Sequence, residues 1–133
     1  MARPPKEEFD RLETLGNPGW NWDDVLHYMK RSEKLTPTNL PPAEAERFAI
    51  NTTLSAHGTS GPLEKFLGSN FSEFHADFIE TAHKLGVPKN IDPNDGELNG
   101  VSTGFSSMDP KAAKRSYVTS AYLKPNADRP NLV

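Results

Sequence analysis

The sequence predicts a mainly helical α+β fold for this chain of 133 residues. Three observations lead to this prediction. Apolar residues recur at helical spacing in four segments, strand signals are few and weak, and twelve prolines and nine glycines divide the chain into short elements. Hydrophobic residues make up 35% of the chain and the net charge is only −3, so the composition is not that of a disordered protein.

Four helices are predicted from apolar stripes and their end signals. The clearest has a capping residue, Asn21, an acidic first turn and a basic last turn. Gly and Pro end the first and third helices, and Pro125 ends the fourth. The predicted helices cover 6–15, 22–32, 73–85 and 117–124.

The segments between the helices are less regular. Residues 61–67 alternate weakly and residues 101–108 are rich in Ser and Thr, so both are predicted as strands. The Pro-rich stretch 35–42 is expected to be extended, and 43–50 to form a short helix. Residues 131–133 resemble the start of a strand, which suggests a cut through a larger domain.

Composition excludes several classes of function. There are no cysteines, so disulfides, thiolate zinc sites and cysteine nucleophiles are ruled out. The pI of about 5.8 and the scattered basic residues argue against a nucleic-acid partner. No apolar run approaches the roughly 18 residues of a membrane span. The first residues lack the apolar stretch of a signal peptide.

Candidate sites for chemistry fail on spacing. Glu80 and His83 have the Glu-x-x-His spacing of di-iron bundles, but the second copy that such a site needs is missing from the sequence. Residues 92–96 look like a calcium loop, yet Ile91 and Pro93 then occupy ligand positions and supply no side-chain oxygen. A solvated helix face and an Asx- and Pro-rich turn are the simpler interpretations. No nucleophile elbow or phosphate-binding glycine motif occurs.

Two further features leave alternatives open. Trp20 and Trp22 flank Asn21 and could stack on a ligand, although such a pair more often packs a helix entry into a core. Asn51 and Asn70 each begin a glycosylation sequon, which chance alone explains and which is weak support for secretion.

An ordered set of short motifs resembles the glucose–methanol–choline (GMC) oxidoreductases and covers essentially the whole chain. The motifs are Leu-Gly-Asn-Pro-Gly-Trp-Asn-Trp-Asp-Asp at 15–24, Tyr-Met-Lys-Arg-Ser-Glu at 28–33, His-Gly-Thr-Ser-Gly-Pro-Leu at 57–63, Leu-Gly-Val-Pro at 85–88 with Asp92, Lys-Arg-Ser at 114–116, Ala-Tyr-Leu-Lys-Pro at 121–125 and Arg-Pro-Asn-Leu-Val at 129–133.

The resemblance implies a flavoenzyme that binds FAD and oxidises a CH–OH group of an alcohol or sugar by hydride transfer to flavin, with a histidine base. Residues 1–133 would form one incomplete internal segment of the FAD-binding region. Strands 61–67 and 101–108 would belong to the antiparallel sheet of the substrate domain. The small-molecule alcohol or sugar is the only implied partner, and the oligomeric state is open.

The same resemblance places the reacting groups outside the chain. The dinucleotide fingerprint is expected before Met1 and the catalytic histidine beyond Val133. None of His27, His57, His75 and His83 matches that histidine. We therefore assign no catalytic, cofactor-binding or metal-binding residue, and no contact to residues 1–3, which would lie near the flavin. The chain alone is expected not to hold FAD.

The alternative is a stand-alone non-catalytic interaction module or a degenerate paralogue. The two interpretations differ in packing, because an incomplete segment leaves helix stripes uncovered. Secretion is one candidate location by family resemblance. The incomplete-segment interpretation predicts unusual exposure for several members of one set: Phe9, Trp20, Trp22, Phe66, Phe78, Tyr122 and Leu132.

Overall fold

The computed structural model describes residues 3–50, 54–68 and 70–132. Helices and very short strands alternate along these ranges. In chain order the elements are α1 (Lys6–Thr14), α2 (Trp22–Ser32), β1 (Glu33–Thr36), α3 (Pro42–Arg47), β2 (Leu63–Phe66), α4 (Glu73–Lys84), β3 (Met108–Asp109), β4 (Lys114–Arg115), a π-helix (Thr119–Leu123) and a 3₁₀ turn (Lys124–Asn126).

A tight turn joins α1 to α2. Gly16 and Gly19 have φ angles of 96° and 82°, which glycine adopts without steric cost. A carboxylate oxygen of Glu13 accepts hydrogen bonds from the Gly19 backbone at 3.0 Å and from the Asn21 side chain at 2.9 Å. The turn places Trp22 against α1, where it is only 3% exposed. Trp20 is 56% exposed. Trp22 therefore packs into the core, as the simpler interpretation of the tryptophan pair predicts.

Replacing Asn21 with alanine is expected to lower the free energy of unfolding by about 1–2 kcal/mol. The Asn21 side-chain oxygen accepts a 3.0 Å hydrogen bond from the Asp24 N–H, which alanine leaves without its partner. Urea denaturation followed by far-UV circular dichroism measures the loss. Asn99→Ala, in an exposed loop, is the control and should change little. Equal stability of the two variants would contradict the capping role.

The larger of two small sheets is parallel. Strand β1 pairs with β2 in the register Glu33–Leu63 to Thr36–Phe66. Strand β2 also meets residue 106 through one antiparallel bridge, with reciprocal backbone hydrogen bonds of 2.8 and 2.9 Å between Phe66 and Ser106. The predicted strand at 61–67 is thus confirmed over its centre. Its membership of a substrate domain stays a prediction.

The predicted strand at 101–108 is wrong over most of its length. Only its last residue belongs to a strand, β3, which pairs antiparallel with β4. Val101 and Ser106 take part only in isolated bridges. The hydroxyl of Thr103 instead donates to the carbonyl of Phe48, so this segment makes part of its polar contacts through side chains and not through a ladder.

The predicted helix at 117–124 also differs from the structure. A π-helix covers Thr119–Leu123 and a 3₁₀ turn follows it. Pro125 has no N–H to donate to the carbonyl four residues before it, so an α-helix cannot continue there. Residues 131–132 form a turn and a loop, and Val133 lies outside the described residues. The extended structure predicted for 35–42 is confirmed at its start, where residues 35–36 belong to β1. The short helix predicted for 43–50 is confirmed over residues 43–47, which belong to α3.

The apolar core is small and lies between α3 and α4. It consists of Ala45, Phe48, Ile50, Leu67 and Ala76.

Four of the seven residues predicted to be unusually exposed are so: Trp20, Phe78, Tyr122 and Leu132. Phe9 and Phe66 are half-buried, and the prediction is wrong for Trp22. No helix in the described ranges is long and apolar enough to cross a bilayer.

Candidate functional site

Five ionisable side chains from distant parts of the chain meet in one buried network. They come from the N-terminal segment, from β1 and β2, and from the loops around 57 and 92. Each of these residues is under 9% exposed, which is rare for charged groups unless they are paired. The ion network consists of Arg3, Glu33, His57, Lys65 and Asp92.

Glu33 is the centre of the ion network. It is the first residue of β1, and the alternation of the strand turns its side chain inward. One carboxylate oxygen accepts from Arg3 Nη2 at 2.8 Å and from the Gly58 N–H at 3.2 Å, and lies 2.8 Å from His57 Nδ1. The other lies 2.6 Å from Lys65 Nζ. Charge-assisted hydrogen bonds of this kind compensate for burying a carboxylate.

His57 bridges two carboxylates. Its Nδ1 faces Glu33, and its Nε2 lies 3.2 Å from both carboxylate oxygens of Asp92. The ring of Phe105 packs against it, with centroids 4.8 Å apart. A neutral imidazole has one N–H and can donate to only one of these carboxylates, whereas the imidazolium donates to both. The geometry therefore favours the doubly protonated ring.

The loop that carries Asp92 is organised by amide and carboxylate side chains. The Asp92 N–H donates to the side chain of Asn90, and the Asn94 N–H donates to Asp92, both at 3.0 Å. These are Asx turns, so the loop is the polar turn that the sequence predicts. In the described part of the chain, no group of three or more His, Asp or Glu side chains is arranged to hold a metal ion.

Arg3 connects the N-terminal segment to the loop that carries Asp92 and to the loop that carries His57. Its Nη1 donates to the carbonyls of Ala56 and Asn94, each at 2.6 Å, while Nη2 pairs with Glu33. One planar guanidinium thus joins β1 to two loops. This contact was not predicted from the sequence, which assigned no contact to residues 1–3.

Charge and burial act in opposite directions on these groups. Burial raises the pKa of Glu33, but hydrogen bonds from His57 and Lys65 and the nearby cationic charges outweigh it and lower the pKa to about 2. Burial lowers the pKa of His57, and its bonds to Asp92 and Glu33 more than offset this, so the pKa lies above its usual value. Burial lowers the pKa of the Arg3 guanidinium despite Glu33 and Asp92.

The other histidines are not brought together. His27 is exposed, His75 lies 2.8 Å from the Thr103 hydroxyl, and His83 contacts a backbone carbonyl at an exposed helix end. Glu80 pairs with Lys89 at 2.9 Å, so the Glu-x-x-His residues lie on the surface of α4. Sequence reasoning missed the roles of Glu33 and Lys65. No local signal marks either residue, because their burial depends on partners that are distant in sequence.

The comparisons with known proteins agree on one family. The sequence profile of the GMC oxidoreductases matches residues 1–133. The chain belongs to the GMC oxidoreductase family. A glucose oxidase-like protein of Humicola fuscoatra is 35% identical in an alignment 128 residues long that covers 94% of this chain and 21% of that protein. Glucose oxidase 1 of Penicillium expansum is 33% identical in an alignment 139 residues long, gaps included, that covers 98% of this chain and 21% of that enzyme.

The comparison with solved structures is consistent with this family. An FAD-dependent oxidoreductase from Chaetomium thermophilum superposes with a TM-score of 0.86 at 31% identity, over 98% of this chain and 22% of that one. The chain spans about a fifth of the length of the relatives it matches. These matches favour the oxidoreductase interpretation of this GMC chain over the non-catalytic interaction module.

The α-helix N-termini among the described residues do not suit the pyrophosphate of FAD. A dinucleotide is usually held by a glycine-rich turn at a helix N-terminus, where the helix dipole favours negative charge. The four α-helices of this GMC chain each carry acidic residues in the first turn, such as Glu7 in α1, Asp23 in α2, Glu44 in α3 and Glu73 in α4. Those carboxylates would repel a phosphate, so none of these helix ends is suited to it.

Proposed function

We propose that this chain is a scaffold segment of an FAD-dependent enzyme that oxidises a CH–OH group of an alcohol or sugar. The observation that carries the proposal is the GMC match over every residue of the chain. Relatives named glucose oxidases support a sugar among the candidate donors. In such an enzyme the flavin accepts a hydride, and the protein positions it and the donor.

The segment itself contributes structure and not reacting groups in this proposal. Buried side chains that could act as an acid or base, such as His57 and Asp92, are committed to each other and to Glu33. A general base has to reach the proton it abstracts. Behind the ring of Phe105 and between two carboxylates, His57 is placed to hold loops together instead.

The segments 61–67 and 101–108 are proposed to lie in the substrate-binding part of the enzyme. The reciprocal hydrogen bonds between Phe66 and Ser106 support an antiparallel relation between them. Their pairing in a wider sheet depends on further strands. A structure of the whole enzyme with a bound donor tests this directly, by showing whether either segment lines the donor pocket.

The purified 133-residue chain is expected to bind no FAD and to oxidise neither sugars nor alcohols when FAD is added. The physical reason is that the described helix ends are acidic and that His57 is held between two buried carboxylates. Flavin absorbance after desalting and dye reduction with glucose, methanol, choline or aryl alcohols measure both properties. A yellow protein, or donor-dependent dye reduction above a heat-killed control, would contradict the scaffold role.

The family function is tested separately through the gene. Genomic sequence around the reading frame should encode Gly-x-Gly-x-x-Gly upstream and a histidine far downstream. The protein encoded by such a complete frame should be yellow and reduce a dye with at least one alcohol or sugar. An intact gene with stop codons close to both ends of this reading frame would contradict the proposal and support the interaction module.

A further inference from the structure

The N-terminal segment 3–6 is held mainly by polar contacts. Pro4 and Pro5 have no backbone N–H, so the segment can donate main-chain hydrogen bonds only at its two ends. The Lys6 N–H donates to the Gly96 carbonyl at 2.9 Å. Below the segment lies a cavity of about 210 Å³, lined in part by Arg3 and Pro4. Its attachment therefore depends on the hydrogen bonds made by Arg3 and Lys6.

Arg3 is the main attachment of this segment, and its partners depend on His57. One acceptor is the carbonyl of Ala56, the residue next to His57, and another is the Glu33 oxygen that His57 also contacts. A third is the carbonyl of Asn94, in the loop held by Asp92. The two loops that receive Arg3 are thus bridged by one imidazole ring.

Loss of one proton from the His57 ring changes this bridge. A neutral ring keeps one N–H, so a lone pair then faces either the Glu33 oxygen at 2.8 Å or Asp92 at 3.2 Å. Two acceptors at that distance repel each other, and burial makes the repulsion stronger. The ring or a carboxylate has to move, and with it the loop that carries the Ala56 carbonyl.

We propose that the Glu33–His57–Asp92 bridge is a protonation-dependent latch for the N-terminal segment. With a doubly protonated ring, the bridge holds loops 56–58 and 92–94 in the positions where Arg3 binds both. With a neutral ring, the bridge opens on one side and Arg3 loses at least one acceptor, which releases residues 3–5 and frays the first turn of α1 while α2 and α4 stay folded.

Charged groups on every neighbouring element affect the protonation of His57. Glu33 of β1 and Asp92 touch the ring directly and favour its protonation. Arg3 binds the same Glu33 oxygen as the ring and Lys65 of β2 binds the other, and their positive charges oppose protonation. The groups of α2 that line an open cavity of about 550 Å³ beside His57 are Asp23, His27, Lys30 and Arg31.

The balance of these groups sets the direction of the switch. The two carboxylates in contact with His57 raise its pKa above the usual value despite burial. A raised pKa in the folded state means that protonation stabilises the latched state at low pH. This stabilisation is complete below the unfolded-state pKa of about 6.5 and is lost as pH rises through the folded-state pKa.

Amide exchange in the 133-residue chain tests the latch. Protection factors of the Lys6 and Ile79 amides are measured by NMR from pH 5.5 to 9.5, beside the titration of the His57 ring carbons. Protection at Lys6 should fall at least tenfold with the midpoint of His57, while Ile79 in α4 stays protected. Constant Lys6 protection through that titration, or equal loss at both amides, would overturn the latch.

Two variants and one control sharpen the test. His57→Gln should show low Lys6 protection at every pH, because an amide cannot donate to both carboxylates. Arg3→Lys should also lower it while the His57 titration persists, since an ammonium cannot reproduce the fork that joins three acceptors. His75→Gln, whose ring contacts Thr103, should keep wild-type protection at Lys6. Wild-type protection in Arg3→Lys would refute the latch even if His57→Gln does not fold.

Discussion

Replacing Glu33 with glutamine is expected to lower the free energy of unfolding by about 3–5 kcal/mol, the usual cost of removing one partner from a buried ion pair. Glutamine preserves the shape of the side chain but leaves Arg3 and Lys65 buried without their counter-charge. Domains keep only about 5–15 kcal/mol of net stability, so the variant should be close to unfolded. Urea denaturation at pH 7, followed by circular dichroism, measures the change.

Glu64→Gln is the matched control for Glu33→Gln. Glu64 lies on β2 and pairs with Lys34 of β1 at 3.0 Å, but the pair is partly exposed to solvent. Pairs of that kind contribute about 0–1 kcal/mol. If the two variants lose the same stability, the burial of the Glu33 carboxylate is not what makes it important.

The pH dependence of stability gives a second measure of the Glu33 contribution. The pKa of Glu33 falls from 4.5 to about 2 on folding, so its stabilisation is complete above pH 4.5 and disappears as pH falls toward 2. The size of this shift corresponds to about 3 kcal/mol. The wild-type chain should therefore lose about this much stability between pH 4.5 and 2, measured by urea denaturation at each pH.

Replacing Gly58 with alanine is expected to abolish cooperative folding or to cost more than about 4 kcal/mol. A Cβ at this position would lie 1.7 Å from the carbonyl oxygen of Lys30 and 2.7 Å from that of Glu33. Both atoms are backbone, at the end of α2 and the start of β1, so neither can rotate away. Overpacking that has to shift the backbone is among the costlier single substitutions.

Gly104→Ala is the control for Gly58→Ala. A Cβ at Gly104 would meet no atom within 4 Å and the φ angle is not in the left-handed region, so the substitution should be neutral or slightly stabilising. Thermal denaturation followed by near-UV circular dichroism compares the two. A Gly58→Ala chain that melts with the wild-type midpoint would show that the loop and α2 are not in close contact.

The local structure that the sequence determined is mostly helical. The predicted helix at 22–32 has the bounds of α2, and the predicted helices at 6–15 and 73–85 differ from α1 and α4 by one residue. Their signals are local, because caps such as Asn21 and Ser72 contact the N–H groups of the next turn. The family was also readable from the sequence, since its motifs keep their order.

Only the tertiary structure decided strand β1 and the ion network. Strand β1 carries Glu33 inward and Lys34 outward, so no apolar alternation marks it, and it forms because β2 pairs with it. The partners of Arg3 lie 30, 53 and 91 residues away in sequence. Burying a charge is unfavourable until its partners arrive, so its position depends on contacts that close long loops. No local pattern encodes such contacts.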